Sequence, residues 1–335
     1  MAANRVGSQT IFFERLPKLV SAHTIVGRNE GQGPYSDYFD EILDDDLLEQ
    51  PTAEKAERQI LEKAVEQALS KYGLVPQDIN YYVSGDLLNQ VISAVFSARS
   101  LAIPFLGIFS ACGTFAQGLG LGSILLQGGF ADKVLVATSS HYQTAERQYR
   151  YPVELNIQHR PTTQHTVTGA GARVLSLEGE VPKVSHVTCG KVTDMGLKDP
   201  NDMGSAMAPA AFDTLEQHLK DLERSPDYYD LILTGDLGRQ GFKMLKIVAE
   251  KKGIAVGSNL QDGGVLIYGE DPKYGAGASG AACSAVMTLG YALSLLREGK
   301  IQRFLLVGTG ALLNQLTVQQ GESIPTIAHA VAIEA

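Results

Sequence analysis

The clearest hydrophobic pattern runs from Thr52 to Tyr72, where Ile60, Leu61, Ala64, Val65, Ala68 and Leu69 recur at helical spacing. Thr52 can cap its start, and Gly73 and Pro76 end it, so the spacing predicts a helix there. Short apolar runs bounded by turn residues predict strands at Gln9–Phe13, Lys18–Val26, Tyr81–Val83, Lys133–Thr138 and Gly169–Glu178. A second helix is expected over Asn89–Ser100. The glycines and proline of Gly27–Pro34 (GRNEGQGP) predict a loop, and Ser139–Thr168 is expected to be irregular.

The stretch Gly107–Phe130, GIFSACGTFAQGLGLGSILLQGGF, organises the centre of the chain. An apolar run at Leu101–Phe109 leads into a small-residue corner, Ser110-Ala111-Cys112-Gly113, and a long uncharged segment follows. This order predicts a strand turning into a buried helix, with Cys112 at or near the helix N-terminus. Unpaired backbone N–H groups and the helix dipole favour negative charge there, a thiolate or a bound carboxylate. Leu101–Ala131 and Tyr274–Leu296 carry no charge and are long enough to span a bilayer. Their glycine clusters and internal polar residues instead predict helices buried in a large α/β core.

The second half echoes the first. Leu215-Glu216-Gln217-His218-Leu219 matches Val65-Glu66-Gln67-Ala68-Leu69, and Thr234-Gly235-Asp236-Leu237 matches Ser84-Gly85-Asp86-Leu87, both at one offset, 215 − 65 = 236 − 86 = 150. Further on, Leu295-Leu296 with Gly299 mirrors Leu125-Leu126 with Gly129, and Arg303–Leu306 mirrors Lys133–Val136. The offset there is 299 − 129 = 303 − 133 = 170, so the second half carries an insertion and Ala282 falls opposite Cys112. Two copies of a strand–helix unit predict a duplicated α/β fold, with halves at 1–178 and 179–335. The two uncharged helices would lie between layers, where neither needs a charged face. Asp86 and Asp236 follow glycine in matching turns, and each is expected to cap the helix after its strand.

A net charge of −9 argues against a nucleic-acid partner, which usually requires a basic face. Three cysteines without a CxxC pair point to neither a disulfide framework nor a zinc site. No charged n-region followed by an apolar run marks a signal peptide, so a soluble chain without a transmembrane span is expected. The acidic run Asp37, Asp40, Glu41, Asp44, Asp45, Asp46 reads as a solvated surface segment. Glu30 with that run matches no EF-hand spacing, so no metal and no cofactor is expected.

These residues together resemble the thiolase superfamily, which includes thiolases and ketoacyl synthases. Cys112 in SACG resembles the acyl-accepting cysteine, Gly169-Ala170-Gly171-Ala172 the glycine-alanine turn, Gly277-Ala278-Ser279-Gly280 the GASG turn, and Gly308-Thr309-Gly310 the C-terminal glycine turn. The resemblance implies five layers (α-β-α-β-α) with two central buried helices, and a homodimer. More narrowly, GRNEGQGP, SACGTFAQG and QHRPTTQHTVTGAGA resemble a sporulation family of that superfamily, soluble proteins that move dipicolinic acid (pyridine-2,6-dicarboxylate) into developing spores. That implies dipicolinic acid as ligand, alone or as its calcium chelate, membrane subunits of a transport complex as partners, and peripheral association with the spore inner membrane. The catalytic bases of the superfamily are absent. Tyr274 stands where the GASG-linked histidine would be, no histidine lies near Thr234-Gly235-Asp236, and Leu306 replaces the second cysteine. Lost condensing chemistry is therefore expected, since a nucleophilic cysteine needs a base beside it.

Cys112 is a candidate pocket floor, a vestigial nucleophile, or a small core residue. His159, Arg160, Thr163 and His165 offer cations and hydroxyl donors for a small dicarboxylate. Tyr274, Gly277 and Ser279 complete the expected site, with Gly275–Gly280 read either as an anion nest at the second helix start or as close helix packing. A planar dianion is expected between the two central helix N-termini, with Cys112 and Ala282 as floor. The alternatives are an acyltransferase using Cys112 with His159 or His165, and an adaptor that only holds membrane subunits. Cys189 and Cys283 are expected to be packing residues.

Overall fold

The computed structural model describes residues 4–180 and 182–335. After two short strands, Arg5–Val6 and Thr10–Phe12, its first half runs through strand β1 (Lys18–Val26) and helix α1 (Ala53–Ser70). The Thr52 hydroxyl caps α1 by accepting from the Lys55 N–H at 3.4 Å, and Gly73 beyond the helix takes the left-handed backbone. The face carrying Ile60, Leu61, Ala64, Val65 and Ala68 is buried. There follow β2 (Tyr81–Gly85), α2 (Ile92–Leu101), β3 (Phe105–Gly107), α3 (Thr114–Gln127), β4 (Lys133–Ser140), α4 (Tyr142–Tyr149) and β5 (Gly169–Ser176).

The second half repeats the plan with β6 (Lys183–Cys189), α5 (Met203–Asp221), β7 (Leu231–Thr234), α6 (Gly238–Lys251) and β8 (Leu260–Asp262). A central helix, α7, is continuous through Ala281–Val286, a π turn at Met287–Ala292, and Leu293–Arg297. Strands β9 (Arg303–Ala311) and β10 (Thr326–Glu334) complete it. Strand order is β1-β5-β4-β2-β3 in the first half and β6-β10-β9-β7-β8 in the second, one topology used twice. The sheets meet where Lys183 of β6 pairs with Lys18 of β1, and the short strand Thr10–Phe12 also pairs with β6, Phe12 with His186, Ile11 with Val187 and Thr10 with Thr188.

Three apolar cores hold the layers together. One lies between α1, α2 and the outer face of the first sheet, built on Ile60, Leu61, Tyr82 and Leu135. Another lies between α5, α6 and the second sheet, built on Leu215, Leu245, Ile232 and Leu305. The middle core carries α3 and α7 between both sheets, where Phe115, Leu119 and Val286 meet Val136, Leu175, Leu306 and Val331. Both faces of each sheet are covered, so β4 and β9 read as continuous apolar runs rather than alternating ones. The glycines of α3 let it lie close on the first sheet: a Cβ at Gly118 would sit 2.7 Å from the Val136 side chain. This is the thiolase-like α/β architecture, and Ala282 occupies the first turn of α7 as Cys112 occupies the corner before α3.

Two local expectations fail. The stretch after Ser140 is not wholly irregular, because Tyr142–Tyr149 forms α4, capped by His141 Nδ1 accepting from the Gln143 N–H at 3.2 Å. The acidic run is not simply solvated either. Asp40 accepts from the Thr24 N–H and hydroxyl at 2.9 and 3.0 Å and pairs with Lys71 at 2.5 Å. Among the described residues no helix is long and apolar enough to cross a membrane.

Candidate functional site

The Cys112 corner is a single tight helical turn, Ala111–Gly113, entered through left-handed backbone at Ala111 (φ 49°). Thr114 locks it, accepting from the Ser110 N–H at 3.0 Å and donating to the Ala111 carbonyl at 2.6 Å. Ser284 of α7 donates to the Cys112 carbonyl at 3.1 Å, so the two central helices hold the corner jointly. The turn Gly308-Thr309-Gly310 presses against it so closely that a Cβ at Gly310 would collide with the Ser110 carbonyl. Cys112 is buried in this setting.

The thiol faces a carboxyl group. Asp236 accepts from the Gly280 N–H at 2.9 Å and from the Thr309 hydroxyl at 2.8 Å, and it acts on Cys112 both through charge and as hydrogen-bond acceptor. Burial raises the thiol pKa well above its ordinary value, and Asp236 raises it further. Burial likewise raises Asp236 to about 7, against the lowering effect of its donors. A thiol beside a buried carboxyl is held protonated, the reverse of what nucleophilic activation requires.

Asp236 was expected to cap the helix after its strand, and it does not. That role belongs to Asp262, which accepts from the Leu237 and Gly238 N–H groups at 2.8 and 2.9 Å. Asp86 does cap its helix, accepting from the Ala94 N–H at 2.8 Å, and burial, with the charge of Asp86 added, raises the carboxyl of Glu57. The expected dianion site between the helix N-termini is therefore filled by the protein itself. Asp236 takes the Gly280 N–H, and Ser140 Oγ accepts from the Ala282 N–H at 3.2 Å. A dicarboxylate there would meet the buried acidic group Asp236 and compete with it for the Gly280 N–H.

The remaining candidates divide between two places. Ser279 lies in a two-residue ladder, Ala278 opposite His165 and Ser279 opposite Thr166, and Gly277 just before it accepts from the His165 N–H at 2.8 Å, so both are buried in backbone packing and line no cleft with the other candidates. His159, Arg160, Thr163, His165 and Tyr274 line an open cleft of about 660 Å³, together with Arg239 and Lys273. Cys112 does not line it.

This cleft has cations at its rim and aromatic rings at its base. Lys273 Nζ sits 4.9 Å from the centre of the Tyr274 ring and donates to Asn29 Oδ1 at 3.3 Å. Arg160 is exposed and pairs with Asp199 at 2.7 Å, and Arg239 donates to the Gly275 and Gly269 carbonyls. His159 Nε2 lies 3.2 Å from Glu146, a buried carboxylate that also pairs with Arg150. Burial alone would raise Glu146, but bonds from His159 and Arg150 outweigh it and hold the carboxyl at about 2. His159 is thus committed to Glu146 rather than standing as a base for Cys112.

His165 is not a cation either. Its ring stacks on Tyr142 at 3.9 Å and meets Tyr268 and Tyr274 edge-on at 5.6 and 5.2 Å, while Tyr268 and Tyr274 stack at 3.8 Å. Burial lowers its pKa to about 3, so the imidazole is neutral, and its Nε2 is buried without a partner among the described residues. Glu30 of the GRNEGQGP loop accepts from the Tyr268 hydroxyl and, at 3.2 Å, from the Thr168 N–H, which pins the loop against this aromatic group. Sequence reasoning missed Asp236, Arg239 and Lys273. The available signals were the repeated Gly-Asp turn and the neighbours Arg239 and Lys273 of motifs already noted. Among the described residues no group of three or more His, Cys, Asp and Glu side chains is placed to hold a metal ion.

Comparison with known proteins agrees with this architecture. The chain is 48% identical over 328 residues to stage V sporulation protein AD of Bacillus subtilis, covering 98% of this chain and 97% of that one. Among solved structures, 3-oxoacyl-[acyl-carrier-protein] synthase III of Aquifex aeolicus superposes with a TM-score of 0.60 at 13% identity, over 95% of this chain and 100% of the other. OleA of Xanthomonas campestris gives 0.60 at 14% identity, over 97% and 98%. At that identity the two enzymes share the fold alone. The family model for stage V sporulation protein AD matches residues 7–334, and the chain belongs to that family.

Proposed function

We propose that this sporulation protein binds dipicolinic acid for uptake into the developing spore and performs no acyl transfer. One observation carries the reading: a cleft whose rim holds Lys273, Arg160 and Arg239 over a base of Tyr274 and His165. A pyridine dicarboxylate has that chemistry, a flat ring with two anionic groups. Calcium chelated by the ligand would enter with it rather than occupy a protein site. The Cys112 thiol, kept protonated by burial and Asp236, supports a binding role over catalysis.

As a peripheral subunit the protein would meet the membrane through partner proteins. A homodimer is supported by the free edge strand β3, flanked by exposed Ile92, Val95 and Phe109, since an open apolar edge seeks a second strand. Crystals of the full chain grown with dipicolinate test the ligand assignment. Density for the ligand over Tyr274 is expected. Density at Cys112, or an empty cleft at saturating ligand, overturns it.

A further inference from the structure

A second cavity, of about 750 Å³, opens beside the π turn of α7 and is lined by Arg173, Arg297, Leu289 and Gly290. Arg173 is in the middle of β5, opposite Ala22 of β1 and Val136 of β4. It is 1% exposed, and its Nε and Nη1 are buried without a hydrogen-bond partner among the described residues. Arginine is the side chain least able to escape this state by losing its proton, and a buried guanidinium without an anion is strongly unfavourable. Burial and the neighbouring charge of Arg297 both disfavour its charged form.

The fold does not need an arginine here. The pairs Lys133 with Ser176 and Arg303 with Glu334 align the two halves, at 303 − 133 = 306 − 136 = 170. Val136 faces Arg173, and its counterpart Leu306 faces Val331, so the second half fills the same position with a buried valine. Nor is a counter-ion supplied among the described residues. Asp40 on the lining is paired with Lys71 at 2.5 Å and Glu298 with Lys300 at 2.6 Å, and Arg297 forms no ion pair among the described residues. Asp37 is the remaining acidic group on the lining, and it pairs with neither arginine.

We propose that this cavity is a site for a small oxyanion, a carboxylate or a phosphate, seated on the Arg173 guanidinium with Arg297 as second cation. It is separate from the tyrosine-based cleft and shares no lining residue with it. The volume suits a small molecule rather than a protein segment, and the planar guanidinium offers a two-point bond to either oxyanion.

Thermal unfolding and titration calorimetry of the full chain, with sodium phosphate and separately sodium succinate against sodium chloride at equal ionic strength, test the site. At least one of the two anions should raise the melting temperature beyond chloride, and which one does identifies the class. Arg173→Met keeps the side-chain bulk and removes the charge. It should melt higher than the wild type without anion and lose the anion-dependent rise. If Arg173→Met does not fold, Arg297→Gln carries the comparison, with binding weakened by roughly tenfold or more. No response to either anion in the wild type, or an equal response in the variants that fold, overturns the proposal.

Discussion

The Asp236 carboxyl of the second half faces the Cys112 thiol of the first, at the position where the resemblance to ketoacyl synthases would place a histidine. An imidazole there would draw the thiol proton away, whereas a buried carboxyl keeps it on sulfur. After incubation with acetyl-coenzyme A, intact mass should therefore show Cys112 unmodified, and iodoacetamide at pH 8 should alkylate it more slowly than exposed Cys189. A stable acyl adduct that disappears in Cys112→Ala would contradict this.

Asp236 also predicts a pH signature. Its pKa rises from 3.8 to about 7 on folding, so the native state keeps a proton that the unfolded chain releases. The penalty grows as pH rises from about 4 through 7 and is complete above that. Asparagine in its place can still accept from Gly280 and can donate to the Thr309 hydroxyl. Between pH 4 and 8, Asp236→Asn should gain on the wild type by up to about 4 kcal/mol in urea unfolding. A stability difference that does not change with pH would show that Asp236 is ionised without cost.

In the cleft, Lys273 has no acidic partner among the described residues while Arg160 is already paired with Asp199. Losing a charged hydrogen bond costs about 1.5–3 kcal/mol. Lys273→Ala should weaken dipicolinate binding by roughly tenfold to a hundredfold, and Arg160→Ala by less. Picolinate, with one carboxylate, should bind worse than dipicolinate. Equal affinities for the two acids, unaffected by Lys273→Ala, would place the ligand elsewhere.

His165, titrating near pH 3, cannot contribute a proton-linked gain in affinity between pH 5.5 and 8. Its contribution is the ring that stacks on Tyr142 and meets Tyr274. His165→Gln should lower affinity by a similar factor at every pH in that window. A loss confined to the acidic end would mean that the imidazole is charged in the complex.

The duplication was legible because each half repeats its turn and helix residues at fixed offsets, and the Cys112 corner because small residues interrupt an uncharged run. The helix Tyr142–Tyr149 was not, since Glu146 of α4 and Arg150 just beyond its end form a buried ion pair that looks like solvent-facing charge along the chain. Asp236 was misread because its twin Asp86 is a cap, whereas in the second half Asp262, from a different strand, takes that role. His165 looks like a cation in the sequence, but the rings around it enclose its Nε2 and leave the imidazole neutral. Which cations share a cleft with Tyr274 depends on the loops at 150–165 and 267–277 packing together, a contact no local pattern records.

The central claim is that recognition belongs to the tyrosine-based cleft and that the thiol corner takes no part in it. Titration calorimetry of dipicolinate into the full chain, wild type beside Cys112→Ala, tests this most directly. The account predicts saturable binding with the same affinity in both proteins. Absence of binding in the wild type, or its loss in a folded Cys112→Ala, would contradict it.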